Sequence, residues 1–381
     1  MPDQNNPKPF PTWLIFLFQG VVIILSIAIG YFGNQFIAYS RSDFGLLRQA
    51  HAIMLENTIL DIPDDPTLEY GMIRGMLAEL EDPYSGFVEP ATHEIMTDEL
   101  AGRFGGIGVR LERDTQAQWR LYPLPDSPAL TAGIQDGDLL LAVDDLLVSP
   151  HTDEVTLLAA VRGPEGETVS ITIDRDGDQL IFDIKRQSVP LPSITWHLLP
   201  EAPKIGMLRV HRIAETTAEE MQSAIESLLD QGMTGLIIDL QDNGGGLVEA
   251  GVDIVRLFLR SGEVIAQSFK GEEVRIFEVD QPGPFTDLPL VLLINHNTAS
   301  SAEIVAGALK AHQRGILVGT STHGKTSIQL IYELSDGSSV HITSGRWWVD
   351  GQSFPLAPDL EVLDDPSGVE SLRTALQVFN P

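Results

Sequence analysis

Residues 205–319 alternate between short apolar runs and amphipathic segments of helical period, and this alternation restricts the fold more than any other feature. The apolar runs, which are typical of buried strands, lie at 205–211, 234–240, 290–295 and 315–319. The segments of helical period between them lie at 216–231, 248–259 and 301–312. Strands that are apolar on both faces occur in sheets that helices cover on each side. We therefore predict a mixed α/β core, which we assign to residues 189–363, and a C-terminal helix or tail at 364–381.

Two modules of different pattern precede this core. Residues 42–98 carry apolar side chains at spacings of three and four, which predict helices, and they include the turn signature DPYSGF at 82–87. From residue 99 to residue 188 the chain changes to short apolar runs separated by Gly and Asp-Gly, which predict a compact β-rich module with two short helices. Asp176-Gly177 predicts a hairpin between its last two strands. The predicted fold class is therefore multidomain, α+β and α/β.

Residues 13–33 form an uncharged and mostly apolar segment near the N-terminus. At about 1.5 Å per residue, a helix of this length measures about 31 Å, close to the hydrocarbon thickness of a bilayer. The sequence after it lacks the small-residue cleavage site of a signal peptide, so we favour an uncleaved anchor and leave a signal peptide as the alternative. All-round apolarity disfavours a buried helix of a soluble domain. We predict a tail at 1–12, a transmembrane helix at 13–33 that binds the lipid bilayer, and a single-pass cell-membrane protein whose folded domain lies outside the cytoplasm.

The composition excludes several classes of protein. The chain has 381 residues, no cysteine, 24 basic and 54 acidic side chains, and a formal net charge of −30. This negative excess argues against a nucleic-acid partner, because phosphate binding draws on clustered Lys and Arg. A chain without cysteine has no disulfide, thiolate zinc site or cysteine nucleophile. The sequence contains no HExxH or comparable ligand cluster, so we predict neither a metal site nor a cofactor.

The segment from Gly319 to Thr326, GTSTHGKT, matches the phosphate-binding P-loop pattern G-x-x-x-x-G-K-[ST]. A P-loop requires a helix that begins at the lysine, so that the helix N-terminus faces the phosphates. After Lys325, however, apolar and polar residues alternate as far as Asp336-Gly337, which predicts a hairpin instead. We therefore keep a P-loop NTPase only as the least favoured interpretation.

Ser300 and Ser301 lie where the apolar run at 290–295 ends and the next helical segment begins. Such junctions present side chains at the carboxyl edge of a sheet, where α/β active sites form. Ser300-x-x-Glu303 is also a capping-box pattern, and on spacing alone a plain helix cap is the favoured interpretation. A cap and a nucleophile are compatible, because a helix N-terminus supplies N–H groups to a developing oxyanion.

Taken together, these segments resemble the C-terminal-processing (tail-specific) peptidases, membrane-associated or exported serine peptidases that carry a PDZ module. The resemblance covers nearly the whole chain after residue 42. Its motifs are LAELEDPYSGFVEP, GRFGGIGVRL, IIDLQDNGGGLVEAGVDI, NTASSAEIVAGALKAH, VGTSTHGKTSIQ, ITSGRWWVDGQSF and PDLEV. It implies an N-terminal helical segment at 42–98, a PDZ-like domain at 99–188 and a serine peptidase core at 189–363.

By this resemblance Ser300 is the nucleophile, Lys325 is the general base and Gln329 is the residue that orients the lysine. A serine needs an adjacent base, and a lysine serves as one only if its pKa falls well below the ordinary value of about 10.4. Burial in a dry cleft lowers the pKa of a lysine in this way. Gln329, four residues further along a strand, is expected on the same face as Lys325, where it adds no charge.

The glycine run at 244–246 follows a predicted strand, and without the resemblance it is equally compatible with a tight turn. Glycines allow the backbone to approach a scissile carbonyl closely. The resemblance implies an oxyanion hole formed by the N–H groups of Gly245 and Ser301.

The run Gly105, Gly106, Ile107 and Gly108 is the loop that matches the peptide-binding loop of PDZ domains. Such domains bind a chain terminus by adding it as a strand, while loop N–H groups hold the terminal carboxylate. By itself the run favours a bend before a strand. With the resemblance, it implies a site for protein or peptide substrates that have accessible C-termini.

The chain departs from the family's usual pattern at several positions. Gln241 and Gly244 stand where Arg and Pro are usual, and Thr320, His323 and Thr326 stand where Glu, Phe and Gly are usual. These changes leave in place the catalytic atoms that the resemblance implies, and they alter the surroundings of the lysine. A charged His323 would depress the pKa of that lysine, but we expect it to be an ordinary exposed histidine.

We predict a membrane-anchored serine endopeptidase that recognises exposed C-terminal tails through its PDZ-like module and cleaves through an acyl-enzyme on a Ser–Lys dyad. A homodimer is compatible with the sequence. A Ser–His–Asp triad that uses His296, His312 or Asp239 is a minor alternative. The main alternative is a catalytically inactive PDZ-bearing binding protein on the same fold, because the residues around Lys325 are atypical.

Overall fold

The computed structural model describes residues 44–363, 365 and 367–379. The described residues divide into two units, with the boundary between Glu69 and Tyr70. The predicted anchor at 13–33 lies outside the described residues. Among the helices that are described, none is long and apolar enough to cross a membrane.

The helical prediction for residues 42–98 is correct for three helices and misses one strand. The helices of the described residues are α1 Gly45–Asn57, α2 Asp65–Ala78, α3 Pro90–Ala101, α4 Pro128–Ala132, α5 Glu154–Val161, α6 Thr217–Asp230, α7 Val248–Arg256, α8 Ser301–Ala311 and α9 Val369–Phe379. The turn signature at 82–87 leads directly into the missed strand, β1 Gly86–Val88. The β-rich module and the α/β core follow α3.

The predicted β-rich module is a sheet in the order β3–β4–β5–β7–β8, with β6 beside β5 and a separate pair of β2 and β9. Its strands are β2 Arg103–Gly106, β3 Val109–Arg113, β4 Trp119–Pro123, β5 Asp138–Val143, β6 Leu146–Leu147, β7 Thr168–Arg175, β8 Asp178–Lys185 and β9 Gln187–Pro190. The predicted hairpin is confirmed, since Arg175 pairs with Asp178 across Asp176-Gly177. The two short helices, α4 and α5, are also confirmed. Ala129 of α4 and Leu157 of α5 are buried in the core of this module.

The α/β alternation forms a mixed sheet in the order β10–β11–β12–β15–β16–β19. Its strands are β10 Ile194–Leu199, β11 Ala202–Val210, β12 Gly235–Asp239, β15 Leu290–Ile294, β16 Ile316–Gly319 and β19 Leu360–Glu361. β10 is antiparallel to β11, and the other neighbours are parallel. Every residue of β12 and β15 is buried, because side chains of α6, α7 and α8 pack on one face and those of α9 on the other. Parallel strands end at one edge, so the loops after β12 and β15 lie side by side.

A second, antiparallel sheet has the order β1–β18–β13–β14, and β17 also pairs with β18. Its remaining strands are β13 Glu263–Phe269, β14 Arg275–Glu278, β17 Ser327–Glu333 and β18 Ser339–Trp348. β17 and β18 form the hairpin that was predicted after Lys325, since Glu333 pairs with Ser339. Because a strand and not a helix follows Lys325, the P-loop interpretation is wrong.

Candidate active site

Ser300 lies in the turn that joins β15 to α8, as the sequence predicts. Its backbone adopts φ +56° and ψ −124°, a conformation that few residues other than glycine adopt. A strained serine at a strand-to-helix turn is a feature of hydrolase nucleophile elbows, because the turn exposes the hydroxyl at the sheet edge. The N–H of Ser300 donates to Glu303 Oε2 over 2.9 Å, which is the Glu303 arm of the predicted capping box. Ser300 therefore caps α8 and also stands where a nucleophile is expected.

The side chain of Glu303 is fully buried and connects the Ser300 turn to the Lys325 segment. Its Oε2 accepts the N–H groups of Ser300 and Lys325, each over 2.9 Å. Its Oε1 accepts the hydroxyl of Thr322 over 2.5 Å and the N–H of Gly324 over 2.7 Å. Hydrogen bonds to a buried carboxylate are strong, so one side chain fixes both segments. Sequence reasoning found Glu303 only as a cap, because its other three contacts depend on tertiary structure.

The side chain of Lys325 is half-buried, and its Nζ lies 4.8 Å from the centroid of the Tyr84 ring. Burial lowers the pKa of Lys325, and the negative charge of Asp82 opposes that shift. The net direction is downward, which is the direction that a general base requires. His323 is exposed, as expected, and its ring centroid lies 6.3 Å from that of Tyr84 in an edge-on arrangement.

Gln329 lies on β17, and its amide makes contacts that the sequence did not predict. Its Nε2 donates to Ser327 Oγ over 2.9 Å and to Thr343 Oγ1 over 3.0 Å. Strand alternation does not relate Gln329 to Lys325, because β17 begins only at Ser327 and its pairing with β18 shifts register between Ile328 and Gln329. The orienting role of Gln329 stays a prediction.

Gly245 lies against the Ser300 turn and has a φ of +96°. A Cβ atom at this position would lie 2.8 Å from Ala299 O, 2.9 Å from Ser300 Cβ and 3.0 Å from Ser301 N. Both the backbone conformation and the available space therefore require glycine. The N–H of Gly245 donates to Asn243 Oδ1 over 2.8 Å, so one of the two predicted oxyanion donors has a partner within the protein.

Ser301 is the first residue of α8, where main-chain N–H groups have no partner within the helix. Its side chain is fully buried, and its Oγ has no hydrogen-bond partner among the described residues. The side chain packs against α7, where a Cβ atom on Gly251 would lie 3.1 Å from Ser301 Cβ. The main-chain N–H is therefore the candidate functional group of Ser301.

We expect Gly245→Ala to lower kcat by about 10²-fold, because the added methyl group must displace the Ser300 turn and a misplacement of about 1 Å has an effect of this size. Gly244→Ala is the matched control, since nothing lies within 4 Å of a Cβ atom at that neighbouring glycine. The kcat of both variants is measured by steady-state cleavage of an unfolded protein substrate. Equal kcat for the two would contradict a close fit between Gly245 and the Ser300 turn.

Two members of the triad alternative, Asp239 and His312, are not arranged as a triad with Ser300, and the use of His296 stays a prediction. Asp239 is buried at the end of β12, where it accepts the N–H of Gln241 over 2.9 Å and lies 3.7 Å from the guanidinium of Arg209. Burial raises the pKa of Asp239, and those two neighbours oppose the shift. His312 lies at the opposite end of α8 from Ser300, which is about 16 Å along the helix.

The loop assigned to peptide binding joins β2 to β3. Gly105 and Gly106 end β2, which pairs with β9, and Gly105 O accepts the N–H of Gly163 over 3.0 Å. Ile107 and Gly108 follow and are buried. Within the described part of the chain, the N–H groups of Ile107 and Gly108 have no hydrogen-bond acceptor.

β3 is an edge strand of its sheet, paired only with β4 among the described strands. Leu124 donates its N–H to Gly108 O over 2.9 Å at the start of this pairing. Hydrogen-bonded positions alternate along an antiparallel pair, so the main-chain groups of Val109 and Leu111 point towards the free edge. That edge can accept an added strand.

The α/β core carries a strained serine at its sheet edge, and a buried glutamate joins this turn to the main chain of a half-buried lysine. The β-module has a free edge strand. These features are the ones expected of a serine-type peptidase with a peptide-binding module. Comparison with protein families agrees with this class. Residues 204–362 match Peptidase family S41, and residues 121–175 match the PDZ domain.

Curated relatives extend the match over most of the chain. The chain is 33% identical to the carboxyl-terminal-processing protease of Synechocystis sp. over 308 residues, which are 78% of this chain and 71% of that protein. It is 31% identical to the carboxy-terminal processing protease CtpA of Bacillus subtilis over 318 residues, 83% of this chain and 67% of that protein. It is 29% identical to a probable CtpA-like serine protease of Staphylococcus haemolyticus over 375 residues, 94% and 74% of the two chains. The chain therefore belongs to the carboxy-terminal processing proteases of peptidase family S41.

Proposed function

We propose that this protein is a membrane-anchored serine endopeptidase that binds exposed C-terminal tails through its PDZ module and cleaves through an acyl-enzyme. Ser300 is the proposed nucleophile and Lys325 the proposed general base. The observation that carries the proposal is the carboxylate of Glu303, which accepts the main-chain N–H groups of both residues. The lowered pKa of Lys325, caused first by burial, further supports the role of base.

In the proposed reaction the neutral amine of Lys325 takes the proton of Ser300 Oγ as that oxygen attacks the carbonyl carbon of the scissile peptide. The negative charge of the tetrahedral intermediate develops on the former carbonyl oxygen. Lys325 then gives its proton to the leaving amine, the C–N bond breaks, and an acyl ester remains on Ser300. A water molecule repeats the attack with Lys325 as base, which releases the carboxylic acid product and restores Ser300.

The proposed donor to that oxyanion is the N–H of Ser301, in the first turn of α8, where the positive potential of the helix N-terminus favours the same charge. The N–H of Gly245 is the proposed second donor. In the structure this N–H donates to Asn243 Oδ1, so the proposed role requires it to exchange that acceptor for the oxyanion.

For the substrate tail, the proposal assigns the terminal carboxylate to the N–H groups of Ile107 and Gly108 and the preceding residues to the free edge of β3. Two observations support this assignment: the unpaired N–H groups of the loop and the open edge of the strand. Strand addition supplies affinity through main-chain hydrogen bonds, whatever the sequence of the tail.

We expect a peptide substrate with a free C-terminal carboxylate to be cleaved with a kcat/KM about tenfold higher than the same peptide with a C-terminal amide. Hydrogen bonds to a charged group contribute about 1.5–3 kcal/mol and those to a neutral group about 0.5–1.5 kcal/mol, so loss of the carboxylate charge is expected to weaken tail binding by about 1.4 kcal/mol, which is tenfold. Because the scissile site is identical in both peptides, each serves as the control for the other. Equal kcat/KM values would contradict recognition of the tail by its terminal carboxylate.

The proposed membrane anchor is the apolar segment at 13–33, and the proposed location of the folded domain is outside the cytoplasm. The length and lack of charge of this segment support the anchor. Carbonate extraction of membranes, followed by protease digestion of intact cells, tests both proposals. Release of the full-length chain by carbonate would contradict the anchor, and complete protection from protease would contradict the location.

A further inference from the structure

The turn from Asp82 to Ser85 lies beside Lys325, although the two segments are far apart in the sequence. The ring of Tyr84 lies 4.8 Å from Lys325 Nζ, within the distance at which an ammonium group and an aromatic ring attract each other. The same ring meets His323 edge-on. Tyr84 therefore contacts both the side chain of the proposed base and the loop that carries it.

Hydrogen bonds fix this turn to the hairpin that follows Lys325. Asp82 Oδ2 accepts the hydroxyl of Ser85 over 2.5 Å, and Asp82 Oδ1 accepts the N–H of Tyr84 over 3.2 Å. Ser85 Oγ accepts the N–H of Thr343, in β18, over 3.1 Å. The chain then enters β1, which pairs with β18. The position of the Tyr84 ring is therefore set by the peptidase core itself.

We propose that this turn completes the catalytic site, with Tyr84 and Asp82 as positioning residues for Lys325. This inference rests on the proposed Ser300–Lys325 dyad. The ring of Tyr84 covers the amine, which restricts its rotamers and excludes water. The carboxylate of Asp82 supplies a negative charge that limits how readily the ammonium group loses its proton.

The ring of Tyr84 attracts the ammonium form of Lys325 and also desolvates it, and the net lowering of the pKa indicates that desolvation has the larger effect. On this basis Tyr84 and Asp82 act on the pKa of Lys325 in opposite directions. Burial is the largest cause of the lowered pKa of Lys325, and the Tyr84 ring is one of the groups that bury it. The charge of Asp82 raises the same pKa. Asp82 itself stays ionised, because hydrogen bonds with Ser85 and Thr343 lower the pKa of its carboxyl group.

Three other titratable groups lie near Lys325, two on neighbouring elements and one on its own loop. Glu303, from α8, accepts the main-chain N–H of Lys325, and His323 lies on the same loop. His341 lies on β18, where burial lowers its pKa and the charge of Lys325 contributes to the shift. Within the described part of the chain, Asp82 is the charged group whose field shifts the pKa of Lys325.

The test is the pH dependence of kcat/KM for the full-length protein, with a peptide substrate that does not titrate in the range used. Asp82→Asn should move the acid limb of the profile to lower pH, because Lys325 loses a negative neighbour. Tyr84→Ala should move the limb to higher pH, because water reaches the amine, and should lower kcat by about 10²-fold. Tyr84→Phe keeps the ring and should restore the position of the limb and most of kcat.

Asp336→Asn is the matched control for Asp82→Asn. Asp336 also accepts a serine hydroxyl and a main-chain N–H, both from Ser338, in the turn of the same hairpin. Its profile should superimpose on that of the wild type. Thermal unfolding of each variant separates a shifted limb from a loss of folded protein, and if Tyr84→Ala fails to fold, the isosteric Asp82→Asn carries the test alone.

Suppose that Lys325→Ala is inactive but the pH profiles of Asp82→Asn and Tyr84→Ala superimpose on that of the wild type. This result would overturn the present inference and leave the proposed function standing. If the acid limb moved in the same direction for Asp82→Asn and Tyr84→Ala, the opposing effects of these two side chains on the pKa of Lys325 would be overturned. Undiminished cleavage by Lys325→Ala would overturn the proposed function and this inference together.

Discussion

Ser300→Ala and Lys325→Ala are each expected to lower kcat by about 10³-fold or more, the largest effects of any substitutions in this chain. Without the nucleophile or its base, only substrate binding and oxyanion stabilisation remain to accelerate the reaction. Residues that act as one unit have non-additive effects, so the double variant should be no slower than the slower single variant. The kcat of the two single variants and of the double variant is measured by cleavage of an unfolded protein such as β-casein by each purified protein.

Lys325→Arg separates a general base from a simple positive charge. Arginine keeps the charge but does not lose a proton in proteins, so this variant should be as inactive as Lys325→Ala. For the same reason the wild-type kcat/KM should rise as pH increases through the lowered pKa of Lys325, since the neutral amine is the active form.

Ser321→Ala and Lys270→Ala, at exposed positions, are the matched controls for these substitutions. Both should retain wild-type activity. Cleavage that survives Ser300→Ala and Lys325→Ala would rule out the dyad. A wild-type protein that binds free tails and cleaves none of the substrates would favour the binding-protein alternative.

The parts of the fold that the sequence predicts well are those whose signal is local. The hairpin after Lys325 follows from the alternation of β17 and the Asp336-Gly337 turn, and this was enough to reject a literal P-loop match. β1, by contrast, has only the three residues Gly86–Val88 and exists because it pairs with β18. A strand that depends on a distant partner leaves no periodicity of its own.

The site shows the same limit at the level of single side chains. Glu303 has the local pattern of a capping-box residue, and nothing in that pattern indicates the contact with Lys325. Tyr84 belongs to a sequence that predicts only a turn, yet the fold brings its ring to the amine of Lys325. For Gln329, the assumption of regular alternation fails because the strand begins late and shifts register.

Asn243 lies next to the glycine run, and its amide oxygen accepts the N–H of Gly245. No rule of sequence spacing predicts this contact.

The second large effect is expected at Glu303. Glu303→Ala removes an acceptor shared by four buried or half-buried donors, each of which loses about 1–3 kcal/mol, so we expect the free energy of unfolding to fall by about 4 kcal/mol or more and kcat to fall by about 10²-fold. Glu303→Gln should have a smaller effect. Its amide NH2 can replace Oε1 and donate to the Thr322 hydroxyl, which also accepts the N–H of Leu356. The hydroxyl proton of Thr322 and the N–H of Gly324 then lose their acceptor, so two of the four donors are affected and not all four.

In that orientation the oxygen of the new side-chain amide takes the place of Oε2 and still accepts the N–H groups of Ser300 and Lys325. The order of kcat should therefore be wild type, then Glu303→Gln, then Glu303→Ala, measured at a temperature where all three are folded. Glu333→Ala, at an exposed position on β17, is the control and should change neither stability nor kcat. If Glu303→Ala lost stability but kept the wild-type kcat in its folded state, Glu303 would hold the fold together without aligning the two catalytic segments. The intermediate kcat of Glu303→Gln is the decisive result, because only that variant keeps the acceptor that Ser300 and Lys325 share.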